Sequence, residues 1–410
     1  MRKASIVSIG NEVLSGQTVD TNASYLSRKL FSISIPVVSF YTAGDDTDLI
    51  VRALNLAGSD ADVVLATGGL GPTDDDLTRQ AFAKFLGGEL QLQNELLQKI
   101  RDFFAARNLQ MPAKCKVQAY IPAGAKALAN SIGTAPGLMA KVQGKLFVAL
   151  PGVSSEMKQM FEESVAELLR GLAGEQIVLV RKLKCFGTGE SNMAELLGPV
   201  MQRGRNPLVN CTAEHGVITL HVIATAKDKD KARQMVEKDE KLLRSKLGDL
   251  IYDTGEQTLA EVVGEKLAQQ KKTIAVAESC TGGTLAKLLT DIPGASRYFR
   301  QGWVTYSNDT KTSELGVPFD LIEKYGAVSE QVASAMARGA RNRAGTDFAI
   351  GITGIAGPSG GSEQKPVGSV YISVDSDSGY ETKRFVMSGD RSSVRLRAAQ
   401  TALNMLRLKL

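Results

Sequence analysis

Ser279, Cys280 and Thr281 put three nucleophile-type side chains in a row, with Glu278 before them and Gly282 and Gly283 after. A hydroxyl or thiol so placed can attack an acyl carbon if a base takes its proton and N–H groups meet the oxyanion. A base is on offer in the next polar stretch, where Tyr306 precedes Lys311. A lysine held partly out of water is neutral near pH 7 and can accept a serine proton. The glycine-rich run 351–368 follows, and its N–H groups at Thr353, Gly354, Ala356 and Gly357 are candidate oxyanion donors. Each such donor contributes roughly 3–4 kcal/mol, and the N–H groups after Ser279 are the alternative source. Arg391 could hold a phosphate and Tyr306 could stack on a ring or donate its hydroxyl. Together these are the parts of an amidase without histidine, with Glu278, Thr281, Gly282 and Gly283 lining the substrate beside the nucleophile.

Each residue also has a plainer reading. Ser and Thr before a helix cap it, and Gly-Gly makes a turn. Lys311 could be a surface residue, Tyr306 part of a core and Arg391 a solvated charge, although its sign is unfavourable at a helix start. Cys280 is the rival nucleophile and the more reactive group. Ser279 is preferred, because a cysteine amidase normally needs an imidazole partner. The chain has only His215 and His221, both expected on one strand, so a histidine-rich metal centre is excluded and acid–base work is expected from carboxylates, lysine or tyrosine.

A second stretch with chemical content reads GGLGPTDDDLT, residues 68–78. Gly68, Gly69 and Gly71 let backbone N–H groups approach a phosphate, with Thr73 beside them. Asp74, Asp75 and Asp76 are expected to open a helix, where acidic residues suit the macrodipole. Three in a row exceed what capping needs, and a hard divalent ion such as Mg²⁺ fits them. Glu12, Asp20 and Asn22 of an earlier turn could help hold the metal or a ribose.

The elements that must position these groups follow from patterning. Near the N-terminus, strands are expected at residues 4–9, 36–41, 62–67 and 145–150, separated by helical segments. Such alternation means a parallel sheet with crossover helices, whose ligands lie at the carboxyl ends of the strands. The pattern changes around residues 171–176, entering a small α+β unit with strands at 177–186 and 217–224 and a charged helix over 227–247. That helix balances Lys/Arg against Asp/Glu, as a solvated face does. In the last third, buried strands are expected at 273–277, at 303–308 and at 348–353, with helices after each turn.

Composition narrows the function classes. A chain of 410 residues can hold two or three domains, and 43% hydrophobic with 23% charged residues is ordinary for a globular protein. A net charge of +5, spread along the chain, and 6% aromatics offer no basic, aromatic stripe for nucleic acid. Cys115, Cys185, Cys211 and Cys280 form no CxxC pair, so neither disulfides nor a zinc site is expected. The N-terminus lacks the features of a signal peptide and no apolar run reaches a membrane span, so a cytoplasmic protein is expected.

The motifs GNEVLSGQTVDTN, GGLGPTDDDLT, NSIGTAPG and PGVSSEMK resemble the N-terminal domain of the CinA (competence/damage-inducible protein A) family, which is similar to the molybdopterin-binding fold. Ser154 departs from the proline usual there. The middle unit resembles the family's KH-like insert but has no GxxG loop of an RNA-clamping KH module. AESCTGG, VTYSNDTK, GAVSE, GITGIAGPSGGSEQKPVGSV and SGDR, in that order, resemble the family's C-terminal domain.

The resemblance implies a multi-domain α/β protein. Its domains would be a molybdopterin-binding-like nucleotide pyrophosphatase over 1–172, a KH-like α+β domain over 173–250 and a deamidase over 256–410. It implies hydrolysis of nicotinamide mononucleotide to nicotinic acid mononucleotide and ammonia, with Ser279 as nucleophile, Lys311 as base, Tyr306 beside them and Arg391 near the nucleotide. It also implies metal-dependent cleavage of ADP-ribose in the first domain, a deamidase site that needs no cofactor, and a homodimer formed through the last domain. Two alternatives stand beside this reading: a deamidase whose N-terminal domain is regulatory, and a non-enzymatic scaffold for DNA uptake.

Overall fold

The computed structural model describes residues 2–174 and 176–410. Met1, at the start of the first expected domain, and Glu175, in the polar stretch after it, lie outside the described residues. The chain divides into two compact units, residues 1–179 with 224–234, and residues 180–223 with 235–410.

The first unit is built on a six-stranded sheet. Strand Ala4–Ile9 lies between Val37–Ala43 and Val63–Thr67, and Lys145–Leu150 follows, all four parallel. Gly137–Val142 and Lys126–Leu128 extend it antiparallel, so the sheet is mixed rather than purely parallel. Both faces are covered, and the period-two alternation of a strand sorts the side chains between them. Ala4, Ile6, Val63, Leu65 and Val148 pack against Leu26, Leu30, Met157 and Phe161. Val7, Val64, Ala66 and Phe147 pack against Ile50, Leu54, Ala57 and Phe82 on the other side. The strands' carboxyl ends run into Gly10, Gly44, Gly68 and Pro151, at one edge of the sheet.

The middle segment forms a four-stranded sheet from Ile177–Phe186, Leu208–Glu214, Val217–Ala226 and Ile251–Asp253. Its helix Lys229–Leu247 carries the charged run. One expectation needs correction here. His221 lies on the strand, but His215 sits in the hairpin turn, where its φ of 49° fits a left-handed turn position and no strand.

The C-terminal sheet has five strands in the order Phe299–Val304, Ile274–Glu278, Phe348–Gly354, Ser369–Ser376 and Gly379–Val386. The first three are parallel and the last two return antiparallel. Ile274, Val276, Ile350 and Ile352 pack on helices Leu259–Gln269, Thr284–Thr290 and Arg391–Arg407. Ala275, Ala277 and Ala349 face Leu315, Val332, Met336 and Ala340 on the opposite side. Small residues there let helix Glu330–Ala344 come close. A Cβ on Gly351 would collide with the backbone of Ala333 and Ala337. Ile274–Glu278 is flanked by strands that come later in the chain on each side, so its carboxyl end is a topological switch point, where sheets of this kind open a crevice.

Candidate active site

Ser279 stands at that switch point. Its N–H donates to Ile352 O at 3.0 Å, so it is the last residue held by the sheet. Its own carbonyl accepts the Gly282 N–H at 3.0 Å, closing a four-residue turn. Gly282 and Gly283 leave the turn with φ of 57° and 92°, values glycine adopts without strain. Helix Thr284–Thr290 follows, and the fully buried Glu278 carboxylate accepts the N–H groups of Gly283 (3.0 Å), Leu285 (3.1 Å) and Ala286 (2.8 Å). The expected substrate contact at Glu278 is thereby corrected. This carboxylate satisfies the orphan donors of a helix start and has no exposed surface to offer a ligand.

Lys311, on helix Asn308–Leu315, reaches back across the strand end. Its Nζ lies 3.2 Å from Ser279 Oγ, 2.8 Å from Thr305 O and 3.4 Å from Tyr306 O. The side chain is 1% exposed and forms no ion pair among the described residues. Burial without a carboxylate partner pushes its pKa below the ordinary lysine value. Two carbonyl acceptors hold two of the amine's hydrogens. The third hydrogen of the ammonium is directed at Ser279 Oγ, so loss of that proton leaves the nitrogen's lone pair facing the serine hydroxyl. Strand Phe299–Val304 ends earlier than the sequence suggested, leaving 305–307 as a loop whose carbonyls can turn toward Lys311.

Cys280 is buried, and burial raises its thiol to about 12, so it stays protonated at neutral pH. The N–H groups of Cys280, Thr281, Ala356 and Gly357 have no oxygen acceptor among the described residues. Tyr306 is 60% exposed, which removes the core reading, and its hydroxyl accepts from Arg391 Nη2 at 2.7 Å. Arg391 Nη1 also donates to Gly357 O at 2.7 Å, drawing the glycine loop to the same edge. Thr353 is buried and its hydroxyl donates to Ala327 O at 2.8 Å, so that side chain ties the loop's base to the GAVSE segment. Gly354 lies tight against Ser369 and Val370, and Ala356 is buried. Arg395, which was expected on a positive edge of the same helix as Arg391 and not among the site residues, grips Thr281 O through Nε and Nη2 at 3.0 and 2.8 Å. Its signal was its spacing, one helical turn after Arg391.

In the first unit Ser8, Glu12, Asp20, Asn22, Thr67, Gly68, Gly152 and Ser154 line a small polar cavity of about 70 Å³. Asn22 knots three loops there: it donates to Thr67 Oγ1 (3.1 Å) and Gly152 O (2.8 Å) and accepts from Ser154 (2.7 Å). Asp20 caps helix Thr21–Ser32 through Ala23 N and accepts from Ser8. Gly69, Gly71 and Thr73 belong to the neighbouring turn, and buried Arg79 braces that turn by donating to Leu70 O and Gly71 O.

The triple aspartate does not open a helix. Helix Thr78–Leu86 begins after it, with Leu77 as the N-cap. Asp74 pairs with Lys114 at 3.0 Å, Asp76 accepts from Thr73 N at 2.8 Å and from the Thr73 hydroxyl, and hydrogen bonding to Thr73 lowers the Asp75 pKa. Among the described residues no group of three or more His, Cys, Asp or Glu side chains is arranged to hold a metal ion. The carboxylates are spent on local partners and do not fit a preformed metal centre, so no metal step is derived from them.

These features define a multi-domain α/β protein with a molybdopterin-binding-like first domain, a KH-like middle domain and, in the last, a buried serine–lysine pair. The family profiles that match are "CinA C-terminal domain" over residues 256–410, "Probable molybdopterin binding domain" over 5–171 and "Damage-inducible protein CinA KH domain" over 180–253. The chain belongs to the CinA family. It is 42% identical over 405 residues to the CinA-like protein of Dictyoglomus thermophilum, covering 99% of this chain and 98% of that one. With the CinA-like protein of Kosmotoga olearia it shares 41% identity over 406 residues, again 99% and 98% of the two chains. A solved structure of competence/damage inducible protein CihA from Agrobacterium tumefaciens is 41% identical, covering 36% of this chain and 91% of that chain at a TM-score of 0.36. No helix among the described residues is long and apolar enough to cross a membrane.

Proposed function

We propose that the C-terminal domain is a nicotinamide-nucleotide amidase, converting nicotinamide mononucleotide and water to nicotinic acid mononucleotide and ammonia. The observation that carries this reading is the 3.2 Å approach of Lys311 Nζ to Ser279 Oγ in a buried setting without a carboxylate. Neutral Lys311 takes the hydroxyl proton as Oγ attacks the carboxamide carbon. The tetrahedral oxyanion is met by backbone N–H groups that have no oxygen acceptor among the described residues, those of Cys280 and Thr281, which lie against the Cys280 sulfur, or those of Ala356 and Gly357 in the glycine loop. The Lys311 ammonium returns its proton to the departing nitrogen and ammonia leaves. Water, deprotonated by the same amine, then hydrolyses the ester on Ser279 and frees the carboxylate. Arg391 is the phosphate partner, exchanging Gly357 O and Tyr306 for the stronger anionic acceptor. No step calls for a metal.

For the N-terminal domain, the glycine turn of Gly68 and Gly69 at the carboxyl edge of the sheet supports nucleotide binding. Cleavage of ADP-ribose with a divalent ion remains the proposed activity there, as a second function of a bifunctional pyridine-nucleotide salvage enzyme. The narrower alternative is a binding domain that regulates the amidase. We further propose that the protein acts as a homodimer.

The test is product analysis. The full chain incubated with nicotinamide mononucleotide is expected to yield ammonia and nicotinic acid mononucleotide in equal amounts, with or without EDTA. Absence of both products would remove the amidase reading.

A further inference from the structure

The turn that carries Ser279 is held by one peptide plane. In the unit between Thr281 and Gly282, the N–H closes the turn onto Ser279 O at 3.0 Å. The carbonyl of the same unit points the other way and collects four donors: Arg395 Nε (3.0 Å), Arg395 Nη2 (2.8 Å), Thr284 Oγ1 (2.7 Å) and Thr284 N (3.2 Å). Only Arg395 brings charge, and its planar fork fixes direction as well as distance. The guanidinium forms no ion pair among the described residues, so its charge is directed at this turn. Gly282 is moulded to it, because a Cβ at that position would lie 3.0 Å from Arg395 Nη2. The two inner N–H groups of the turn, on Cys280 and Thr281, are those left without an oxygen acceptor among the described residues.

We infer that Arg395 is a positioning residue for the nucleophile. By pinning Thr281 O it sets the tilt of the 279–282 turn, and with it the aim of Ser279 Oγ and of the N–H groups of Cys280 and Thr281 at the developing oxyanion. Arg395 and Arg391 stand one turn apart on helix Arg391–Arg407 and face the same edge. One rigid helix therefore registers two parts of the site, the nucleophile turn through Arg395 and the glycine loop with Tyr306 through Arg391. Pulling on the Thr281 carbonyl also polarises its peptide, strengthening the N–H bond to Ser279 O. The inference rests on Ser279 being the attacking group, as proposed above, but its test does not depend on the identity of the substrate.

Ser279 is labelled in the full chain with a fluorophosphonate, whose adduct on the hydroxyl mimics the tetrahedral state, and the labelled peptide is read by mass spectrometry. Ammonia release from nicotinamide mononucleotide is followed alongside. In Arg395→Ala the labelling rate and kcat are expected to fall about 10- to 100-fold with KM within threefold, and added guanidinium ion restores part of both. Arg395→Lys lies between, since it keeps the charge and loses the fork. Thermal unfolding identifies a variant that has merely failed to fold, and Arg395→Lys then carries the measurement. Labelling and kcat within twofold of wild type in Arg395→Ala would overturn the role. So would a loss that guanidinium does not reverse in a folded protein. Wild type labelled at Ser279 but silent toward nicotinamide mononucleotide would remove the amidase reading and leave the role of Arg395 intact. No labelling of Ser279 in wild type would overturn both.

Discussion

The chemistry of the C-terminal site turns on which of two adjacent residues can lose a proton. Cys280 is intrinsically the better nucleophile, yet burial holds its thiol near 12, while the neighbouring hydroxyl has a base 3.2 Å away. For Lys311 the sign of the pH effect follows from burial, which disfavours the ammonium and lowers its pKa. The reactive form is the neutral amine, so kcat/KM is expected to rise with pH through one ionisation lying below the ordinary lysine value of about 10.4. Lys311→Arg, charged at every accessible pH, is expected to lose at least about 10²-fold in kcat and with it that ionisation. A pH–rate profile unchanged in Lys311→Arg would contradict the assignment. At this scale the sequence was informative about residue type: a serine, a lysine and a tyrosine in a chain with two histidines limit the available mechanisms. What it could not supply was contact. Residues 279 and 311 meet only because neighbouring parallel strands end at the same edge.

Elements decide which polar groups are free to act. Glu278 illustrates the limit of reading a motif, since a carboxylate next to a nucleophile looks the same in sequence whether it binds substrate or caps a helix. Here it accepts the N–H groups of the N-cap Gly283 and of Leu285 and Ala286 in a seven-residue helix, too short to be stable without that support. Glu278→Ala leaves those donors buried and unpaired, and a loss of about 2–3 kcal/mol is expected in urea unfolding monitored on the C-terminal domain. Glu278→Gln keeps one acceptor oxygen and is expected to lose less. A change below about 0.5 kcal/mol in Glu278→Ala would mean the cap is dispensable. The triple aspartate shows the same ambiguity with another outcome. Acidic residues before a helix were legible, but their division among Lys114, Thr73 and solvent depends on a lysine 40 residues away and on turn geometry. Strand and helix order was legible because buried parallel strands are continuous apolar runs. Sheet edges were less so: the antiparallel additions Gly137–Val142 and Lys126–Leu128 carry no distinct periodicity.

At the scale of the molecule, the two proposed activities rest on different sheets and make separable demands. ADP-ribose cleavage, if it follows the divalent-ion route, is expected to stop with EDTA and to fall at least tenfold in Asp75→Ala, while ammonia release from nicotinamide mononucleotide is unaffected by either. Wild type and Asp75→Ala equally inactive toward ADP-ribose would assign the first domain to binding and regulation. Light scattering is expected to give twice the mass of one chain, and a mass of one chain would refute the dimer. The account as a whole depends on the hydroxyl at the end of strand Ile274–Glu278, and the most direct measurement is ammonia release by wild type, Ser279→Ala and Cys280→Ala side by side. The expected result is no measurable release from Ser279→Ala and retention of most activity in Cys280→Ala. Full activity in Ser279→Ala, or its loss only in Cys280→Ala, would contradict the mechanism.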